Sequence, residues 1–195
     1  MLERKKLILA SQSPRRKQLL EWAEVNFEII TQPTEESFPE GLTVQEVAMH
    51  IAYNKALAVQ SAGNLNRTIL AADTIVVLNN TIIGKPKDFR DAKIILSNLS
   101  GSEHSVITGV SILSETHQVQ FCDTTEVIFH DLTEEQIEYY VEKYKPYDKA
   151  GAYAIQEWIG VIGIKSVNGD FYNVMGLPVS RVVQVLKNQF GEDII

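Results

Sequence analysis

The sequence has a single cysteine, Cys122, among its 195 residues. One thiol cannot form an internal disulfide or a cysteine-rich metal site, which favours a reducing compartment such as the cytoplasm. No apolar run approaches the roughly 18 residues that a membrane-spanning helix needs, and the first apolar run is too short for a signal peptide. We therefore expect a soluble, cytoplasmic protein that has no membrane partner.

Basic residues are also scarce, because 18 Lys and Arg side chains stand against 25 Asp and Glu side chains, for a net charge of -7. A nucleic-acid polymer requires a basic face, so we expect no such partner. The composition, 45% hydrophobic and 22% charged, is that of an ordinary globular protein. We expect one domain over residues 1–195 with two lobes around a central cleft, and the sequence leaves a homodimer open.

Common nucleotide-binding and nucleophile motifs are missing as well. The sequence has neither a Walker pattern GxxxxGK[ST] nor a dinucleotide pattern GxGxxG. The four histidines show no metal-ligand spacing. Ser11 has no histidine near it in the sequence, which argues against a serine hydrolase.

Helix caps and hydrophobic periodicity predict an α/β chain. Strands are predicted over 7–10, 27–30, 69–78, 81–83, 105–113 and 119–129, with a further hairpin formed by 161–167 and 171–174. Helices are predicted over 14–23, 43–62, 88–99, 133–144 and 178–190. Because helices alternate with strands and several strands are joined by hairpins, we expect an elongated mixed β-sheet flanked by helices.

Two arginines occupy an unfavourable place at the start of the first predicted helix. Arg15 and Arg16 follow the Ser13-Pro14 cap, where the positive end of the helix dipole disfavours each cation by about 0.3–1 kcal/mol. Free backbone N–H groups at the same helix start can bind an anion. The pattern therefore indicates a phosphate site, and the alternative is a pair of solvated arginines beside a serine cap.

Two further charges lie in apolar surroundings. Lys55 falls within the apolar stripe of the 43–62 helix, so it must either extend its ammonium to solvent or find a partner. Asp73 is the only charge in the run 69–78, and a carboxylate there is costly unless it is paired or binds a metal. We expect Asp73 at a strand end or bulge facing a cleft, as the best single candidate for chemistry. The alternative is a turn-forming or capping aspartate.

Two lysines lie in glycine-containing segments. Lys85 stands between Gly84 and Pro86, and Lys149 precedes a patch of small residues that either admits a ligand to the backbone or forms a tight loop. The sequence thus combines several cations and a carboxylate with no evident nucleophile. That combination suits attack by water on a polyphosphate, where catalysis is mostly positioning and charge neutralisation.

Seven short motifs occur in one order along the chain: LASQSPRR (9–16), AADT (71–74), GKP (84–86), LSG (99–101) followed by His104, TGV (108–110), DKAGAYAIQ (148–156) and NVMGLP (173–178). Together they resemble the Maf family of nucleoside triphosphate pyrophosphatases. The resemblance implies a fold similar to that of inosine triphosphate pyrophosphatases. It also implies hydrolysis of a nucleoside triphosphate to the monophosphate and pyrophosphate, with Mg²⁺ or Mn²⁺ as cofactor.

The tract 148–156 is similar to that of the family branch that acts on dTTP and UTP. Its Gln156 offers an amide acceptor and donor that can pair with N3–H and O4 of uracil or thymine. Two alternatives stay open. One is a pyrophosphatase of 7-methyl-GTP or another modified nucleotide, and the other is a non-catalytic nucleotide-binding regulator of septum formation.

The resemblance also implies a role for each matching residue. Asp73 matches the proton acceptor that activates water, and Glu36 and Asp73 are the expected metal ligands. The expected substrate-binding residues are Ser11, Arg15, Arg16, Lys55, Thr74, Lys85, Lys149 and Gln156. Among these, Arg15, Thr74 and Gln156 match positions associated with substrate choice.

Overall fold

A computed structural model describes residues 6–64 and 66–191. Within these residues the elements are β1 (Leu7–Leu9), α1 (Pro14–Trp22), β2 (Phe27–Ile29), α2 (Val44–Ser61), β3 (Ile69–Leu78), β4 (Thr81–Ile83), α3 (Phe89–Leu99), β5 (Glu103–Leu113), β6 (Gln118–Phe129), α4 (Glu134–Tyr144), α5 (Trp158–Gly163), β7 (Ile164–Asn168), α6 (Phe171–Met175) and α7 (Val179–Phe190). A short 3₁₀ turn, Ala150–Ala152, lies between α4 and α5.

The strands form a mixed sheet in the order β2-β1-β3-β5-β6-β7, with β4 paired to β3. β1 pairs in parallel with both β2 and β3, whereas β4 runs antiparallel to β3 and β7 antiparallel to β6. The prediction of a mixed α/β sheet flanked by helices is confirmed. The central cleft stays a prediction.

The predicted helix starts are confirmed in atomic detail. Thr43 and Glu46 form a complete capping box at α2, and Thr133 and Gln136 form another at α4. In each box the threonine hydroxyl accepts a backbone N–H while the side chain three residues on accepts the backbone N–H of the threonine. None of the described helices is long and apolar enough to cross a membrane.

The chain forms two compact units. The first takes the described residues of Met1–Asp73, Thr108–Asp123 and Gly176–Ile195. Its core packs α2 onto the sheet and includes Ile8, Ala10, Ala56, Val59, Ile69, Ala71 and Leu113. Gly109 in β5 is required here, because a Cβ at this position would lie 2.3 Å from the Ala48 backbone. Small residues therefore let α2, which carries Lys55, lie close to the sheet.

The second unit comprises Thr74–Ile107 and Thr124–Met175. Three rings form its aromatic centre: His104 contacts Phe129 at 5.2 Å and Tyr153 at 5.4 Å between centroids, and Phe129 contacts Tyr153 at 5.0 Å, all edge to face. His104 Nε2 also hydrogen-bonds the Tyr153 hydroxyl at 2.7 Å. Burial lowers the pKa of His104 to about 4, so the ring is neutral at pH 7.

The hairpin predicted over 161–167 and 171–174 is wrong. The first segment contains the end of helix α5 followed by strand β7, which pairs with β6 instead, and the second segment forms helix α6. Apolar runs this short do not distinguish strand from helix. Asp170 starts the second helix, since its side chain accepts the Tyr172 N–H at 2.8 Å, a local cap that the hydrophobic pattern does not reveal.

Candidate active site

In the first unit, the turn between β1 and α1 forms a compact polar centre. Ser13 caps α1 by accepting the Arg16 N–H at 3.5 Å, and Ser11 Oγ accepts the Ser13 N–H at 3.2 Å. Arg16 folds back over this turn, with Nη1 donating to Ser11 Oγ at 3.1 Å and Nε donating to the Gly176 carbonyl at 2.7 Å. Ser11 and Arg16 are both buried. The alternative of a solvated arginine is therefore wrong for Arg16.

The pKa of Arg16 depends on its burial and on neighbouring charges of both signs. Burial lowers the pKa of its guanidinium, Asp73 raises it, and the adjacent half-buried Arg15 lowers it further. Because the guanidinium of arginine is so strongly basic, Arg16 keeps its charge despite this lowering. The described first turn of α1 holds no acidic residue. A buried cation at such a helix start creates a positive potential that attracts an anion.

Lys55 joins the two candidate acidic residues. Its Nζ lies 2.6 Å from Asp73 Oδ1 and 2.7 Å from Glu36 Oε1. The side chains of Lys55 and Asp73 are 18% and 13% exposed, whereas that of Glu36 is 48% exposed. Lys55 therefore has partners and does not simply extend to solvent. Two carboxylates held by one ammonium at hydrogen-bond distance are fixed in direction, which is what a charge-binding site requires.

The position of Asp73 differs from the expectation of a strand end or bulge. It occupies the middle of the ten-residue strand β3 and is the only charged residue in it. The four preceding residues of the strand are fully buried, and Asp73 itself is 9% exposed. A regular central strand can carry this carboxylate because Lys55 on α2 supplies the opposite charge that burial demands.

The donor set fits a hard divalent cation. Oxygens of Glu36 and Asp73 converge on one cationic atom, Lys55 Nζ. Mg²⁺ commonly uses one or two carboxylates and completes its shell with substrate phosphates and water. Among the described residues, no group of three or more His, Cys, Asp or Glu side chains could hold a metal by itself. A metal bound here would therefore take further ligands from water and substrate phosphates.

The second unit contains the other predicted residues, and two of their segments lie next to each other. The Gly151 N–H donates to the Gly84 carbonyl at 3.2 Å, so the segments that carry Lys85 and Lys149 lie side by side. Lys85 is exposed, whereas Lys149 is buried and its Nζ lies 2.8 Å from Asp148 Oδ1. The Lys149 segment is a tight turn at Gly151, whose φ of +70° favours glycine.

The remaining two predicted residues of the second unit are Thr74, before these segments in the sequence, and Gln156, after them. Thr74 directly follows Asp73 in β3 and is half-buried, and Gln156 is exposed two residues before α5. An exposed amide on a defined backbone can pair with a ligand, because neither its donor nor its acceptor has to satisfy the protein core.

Sequence reasoning missed three participants. The carbonyl of Gly176 holds Arg16 although 160 positions separate them, and no local pattern reports such a pairing. Glu157 approaches Lys149, with 3.5 Å between Oε1 and Nζ, and also accepts the hydroxyl proton of the buried Tyr140. The sequence offered only a weak indication that Glu157 takes part in the site, namely a charge next to a tract of small and apolar residues.

A cluster of cations beside two converging carboxylates is typical of a site for polyphosphate hydrolysis. The comparisons with known proteins agree with that class. The family model described as "Maf-like protein" matches residues 6–189, and the chain belongs to the Maf family.

Relatives named dTTP/UTP pyrophosphatase cover almost the whole chain. The protein of Cytophaga hutchinsonii is 49% identical over 96% of this chain and 86% of its own length. That of Phocaeicola vulgatus is 46% identical, over 95% and 97%, and that of Porphyromonas gingivalis is 45% identical, over 98% and 97%. Among solved structures, the Staphylococcus aureus Ham1 protein aligns with a TM-score of 0.46 and 17% identity, over 65% of this chain and 73% of the Ham1 chain.

Proposed function

We propose that this chain is a nucleoside triphosphate pyrophosphatase that hydrolyses dTTP and UTP to the monophosphate and pyrophosphate. The observation that carries the proposal is the buried carboxylate of Asp73, held by Lys55 and within electrostatic reach of the buried guanidinium of Arg16. The names of relatives that are 45% to 49% identical over nearly the whole chain support the choice of substrate.

The charged side chains of the candidate site in the first unit suit the binding of a triphosphate. Arg15, Arg16 and Lys55 against Asp73 and Glu36 give three cations and two carboxylates, a net charge of +1. Arg15, Arg16 and Lys55 bind phosphate oxygens, and Ser11 orients the guanidinium of Arg16. Cations placed where negative charge develops on the leaving pyrophosphate stabilise the transition state more than the ground state.

Asp73 orients the attacking water and accepts its proton. Lys55 occupies Oδ1 of the carboxylate, and we assign Oδ2 to the water. Glu36 and Asp73 would hold a divalent cation, Mg²⁺ or Mn²⁺, which would further neutralise the charge on the phosphate oxygens. Water attacks the α-phosphorus, the bond to the bridging α–β oxygen breaks, and pyrophosphate leaves with the bonding electron pair.

The second unit supplies the residues for recognition. Lys85 and Lys149 add positive charge, and Thr74 and Gln156 select the base. The acceptor and the donor of Gln156 match N3–H and O4 of thymine and uracil, whereas cytosine presents the reverse pattern. Thymine and uracil differ by one methyl group, which is worth about 1–3 kcal/mol in an apolar pocket, so both nucleotides are substrates. Such a substrate supports a cytoplasmic location and a role in nucleotide-pool housekeeping.

The test is a substrate panel read by pyrophosphate release from dTTP, UTP, CTP and 7-methyl-GTP, with Asp73→Asn as the inactive variant. The control is Asp88→Asn, because asparagine caps a helix as well as aspartate does and Asp88 caps α3. We expect release from dTTP and UTP by the wild type and the control only. Preference for 7-methyl-GTP would favour the modified-nucleotide alternative. Nucleotide binding without turnover would favour the septum regulator.

A further inference from the structure

The segment 149–157, which we call the recognition segment, is tied to helix α4 through a buried hydroxyl. The Oη of Tyr140, a residue with no exposed surface, accepts the Ala154 N–H at 3.2 Å. The same hydroxyl donates a hydrogen bond to Glu157 Oε2. Both hydrogen-bonding roles of the hydroxyl are therefore used on one segment, at points on either side of Gln156.

The other oxygen of Glu157 faces the start of the same segment. Its Oε1 lies 3.5 Å from Lys149 Nζ, and the Lys149 side chain is only 10% exposed. Lys149 also holds Asp148 Oδ1 at 2.8 Å. A chain of polar contacts thus runs from Tyr140 through Glu157 to Lys149, and it joins the two ends of the recognition segment.

The side chain of Glu157 does not act as a helix cap, although its position before α5 would allow it. Glu157 precedes α5, yet its side chain makes no cap bond to that helix. A buried ion pair gains little stability over apolar packing, because desolvation offsets most of the attraction. A buried hydroxyl that both donates and accepts fixes the geometry of its partners more than it adds free energy.

We propose that Tyr140 and Glu157 are positioning residues that fix the conformation of the recognition segment, so that Gln156 presents one hydrogen-bonding pattern to the base and the ammonium of Lys149 stays in place. The inference rests on the proposed function, because it assigns an origin to the base preference. An exposed glutamine amide can rotate to suit either a donor or an acceptor. It discriminates between bases only if the segment that carries it is held, and Tyr140 binds that segment on both sides of Gln156, through the backbone N–H of Ala154 and the side-chain carboxylate of Glu157.

The test measures the ratio of kcat/KM for UTP to that for CTP in Tyr140→Phe, which removes the hydroxyl and keeps the ring. The matched control is Tyr144→Phe on the same helix, whose ring stacks on Tyr140 with 4.9 Å between centroids. We expect the ratio to fall about tenfold or more in Tyr140→Phe, because small displacements of a positioning group cost that much or more. The control should keep the wild-type ratio.

Glu157→Gln provides a second variant should Tyr140→Phe fail to fold. Its amide oxygen still accepts the Tyr140 proton, but the charge that faces Lys149 is lost. We expect a raised KM for both nucleotides and a smaller fall in the ratio than in Tyr140→Phe. A lowered Tm with an unchanged ratio in either variant would show a merely structural role and overturn the inference.

The same comparison separates this inference from the proposed function. Dissociation constants for UTP and CTP in the Asp73→Asn background report base preference without turnover. A wild type with no preference for UTP contradicts the base-reading role of Gln156. A wild-type preference that persists in Tyr140→Phe and Glu157→Gln contradicts only the positioning role. Should the wild type prefer another base, the ratio for that base tests Tyr140 in the same way.

Discussion

Replacing Lys55 by methionine should destabilise the protein, although methionine suits the apolar side of α2. Methionine preserves most of the packing of the lysine stem. It leaves Asp73, whose side chain is 13% exposed, without the ammonium that now lies at 2.6 Å. A carboxylate in the middle of a buried strand then has to be desolvated without the charge of Lys55, which the charge of Arg16 compensates in part.

The magnitude follows from the exposure of each pair. Loss of one partner of a fully buried pair costs about 3–5 kcal/mol, and an exposed pair contributes about 0–1 kcal/mol. The Lys55–Asp73 pair is closer to a fully buried pair. The Lys55–Glu36 pair counts as an exposed pair, because the side chain of Glu36 is 48% exposed. With partial compensation by Arg16 we expect a loss of about 2 kcal/mol, or about 4–8 °C in Tm for a chain of this length.

Thermal unfolding of the ligand-free protein measures this effect. The control is Lys17→Met, because Lys17 pairs with Glu21 at 3.5 Å and both side chains are more than half exposed; its Tm should change by less than about 2 °C. Adding Asp73→Asn to Lys55→Met should recover part of the lost Tm, since the uncharged amide needs no counter-charge. An unchanged Tm in Lys55→Met, or no recovery in the double variant, would refute the reasoning.

The remaining predictions concern activity and pH. Asp73→Asn should lower kcat by about 10²–10⁴-fold while far-UV circular dichroism shows that the fold is retained; retention of more than about a tenth of wild-type turnover would contradict the assignment of Asp73. Arg16→Lys should raise KM for the triphosphate about tenfold or more, because an ammonium cannot bond Ser11 and the Gly176 carbonyl in the fork geometry of arginine; unchanged kinetics with a lowered Tm would show a structural arginine. Gln156→Glu should lower kcat/KM for both dTTP and UTP, since a carboxylate has no donor for O4, and unaltered kinetics would end its base-reading role. His104 has a pKa of about 4 in the folded protein against 6.5 in the unfolded chain, so the unfolded chain binds the proton first as pH falls. Stability should therefore decrease between about pH 6.5 and pH 4 by up to about 3 kcal/mol, and the same pH titration of unfolding in His104→Gln should lack that contribution.

Most of the fold could be predicted because its signals are local. The Thr43–Glu46 and Thr133–Gln136 boxes, and the asparagine turn between β3 and β4, report backbone geometry within a few residues. The structure of residues 157–175 depends instead on tertiary contacts, and there the prediction of a hairpin is wrong. Strand β7 illustrates the reason, since Val167 pairs with Val127 of β6, a distant partner that no local periodicity encodes.

The candidate site was predictable in its members and not in its pairings. Charges in unfavourable places singled out Arg16, Lys55 and Asp73, because an apolar stripe or strand makes an isolated charge conspicuous. Their partners come from distant segments: Lys55 reaches Asp73 over 18 positions and Glu36 over 19. Such pairings depend on how α2 packs on the sheet, and a single sequence does not report that packing.

The central claim, that water attacks the α-phosphorus and pyrophosphate leaves, can be tested by hydrolysing UTP in ¹⁸O-labelled water. Mass spectrometry of the products locates the incoming oxygen. We expect one labelled oxygen in UMP and none in pyrophosphate. Label in pyrophosphate would mean attack at the β-phosphorus, and release of orthophosphate would mean cleavage at another bond. Either result would contradict the roles assigned to Asp73 and to the cations around it.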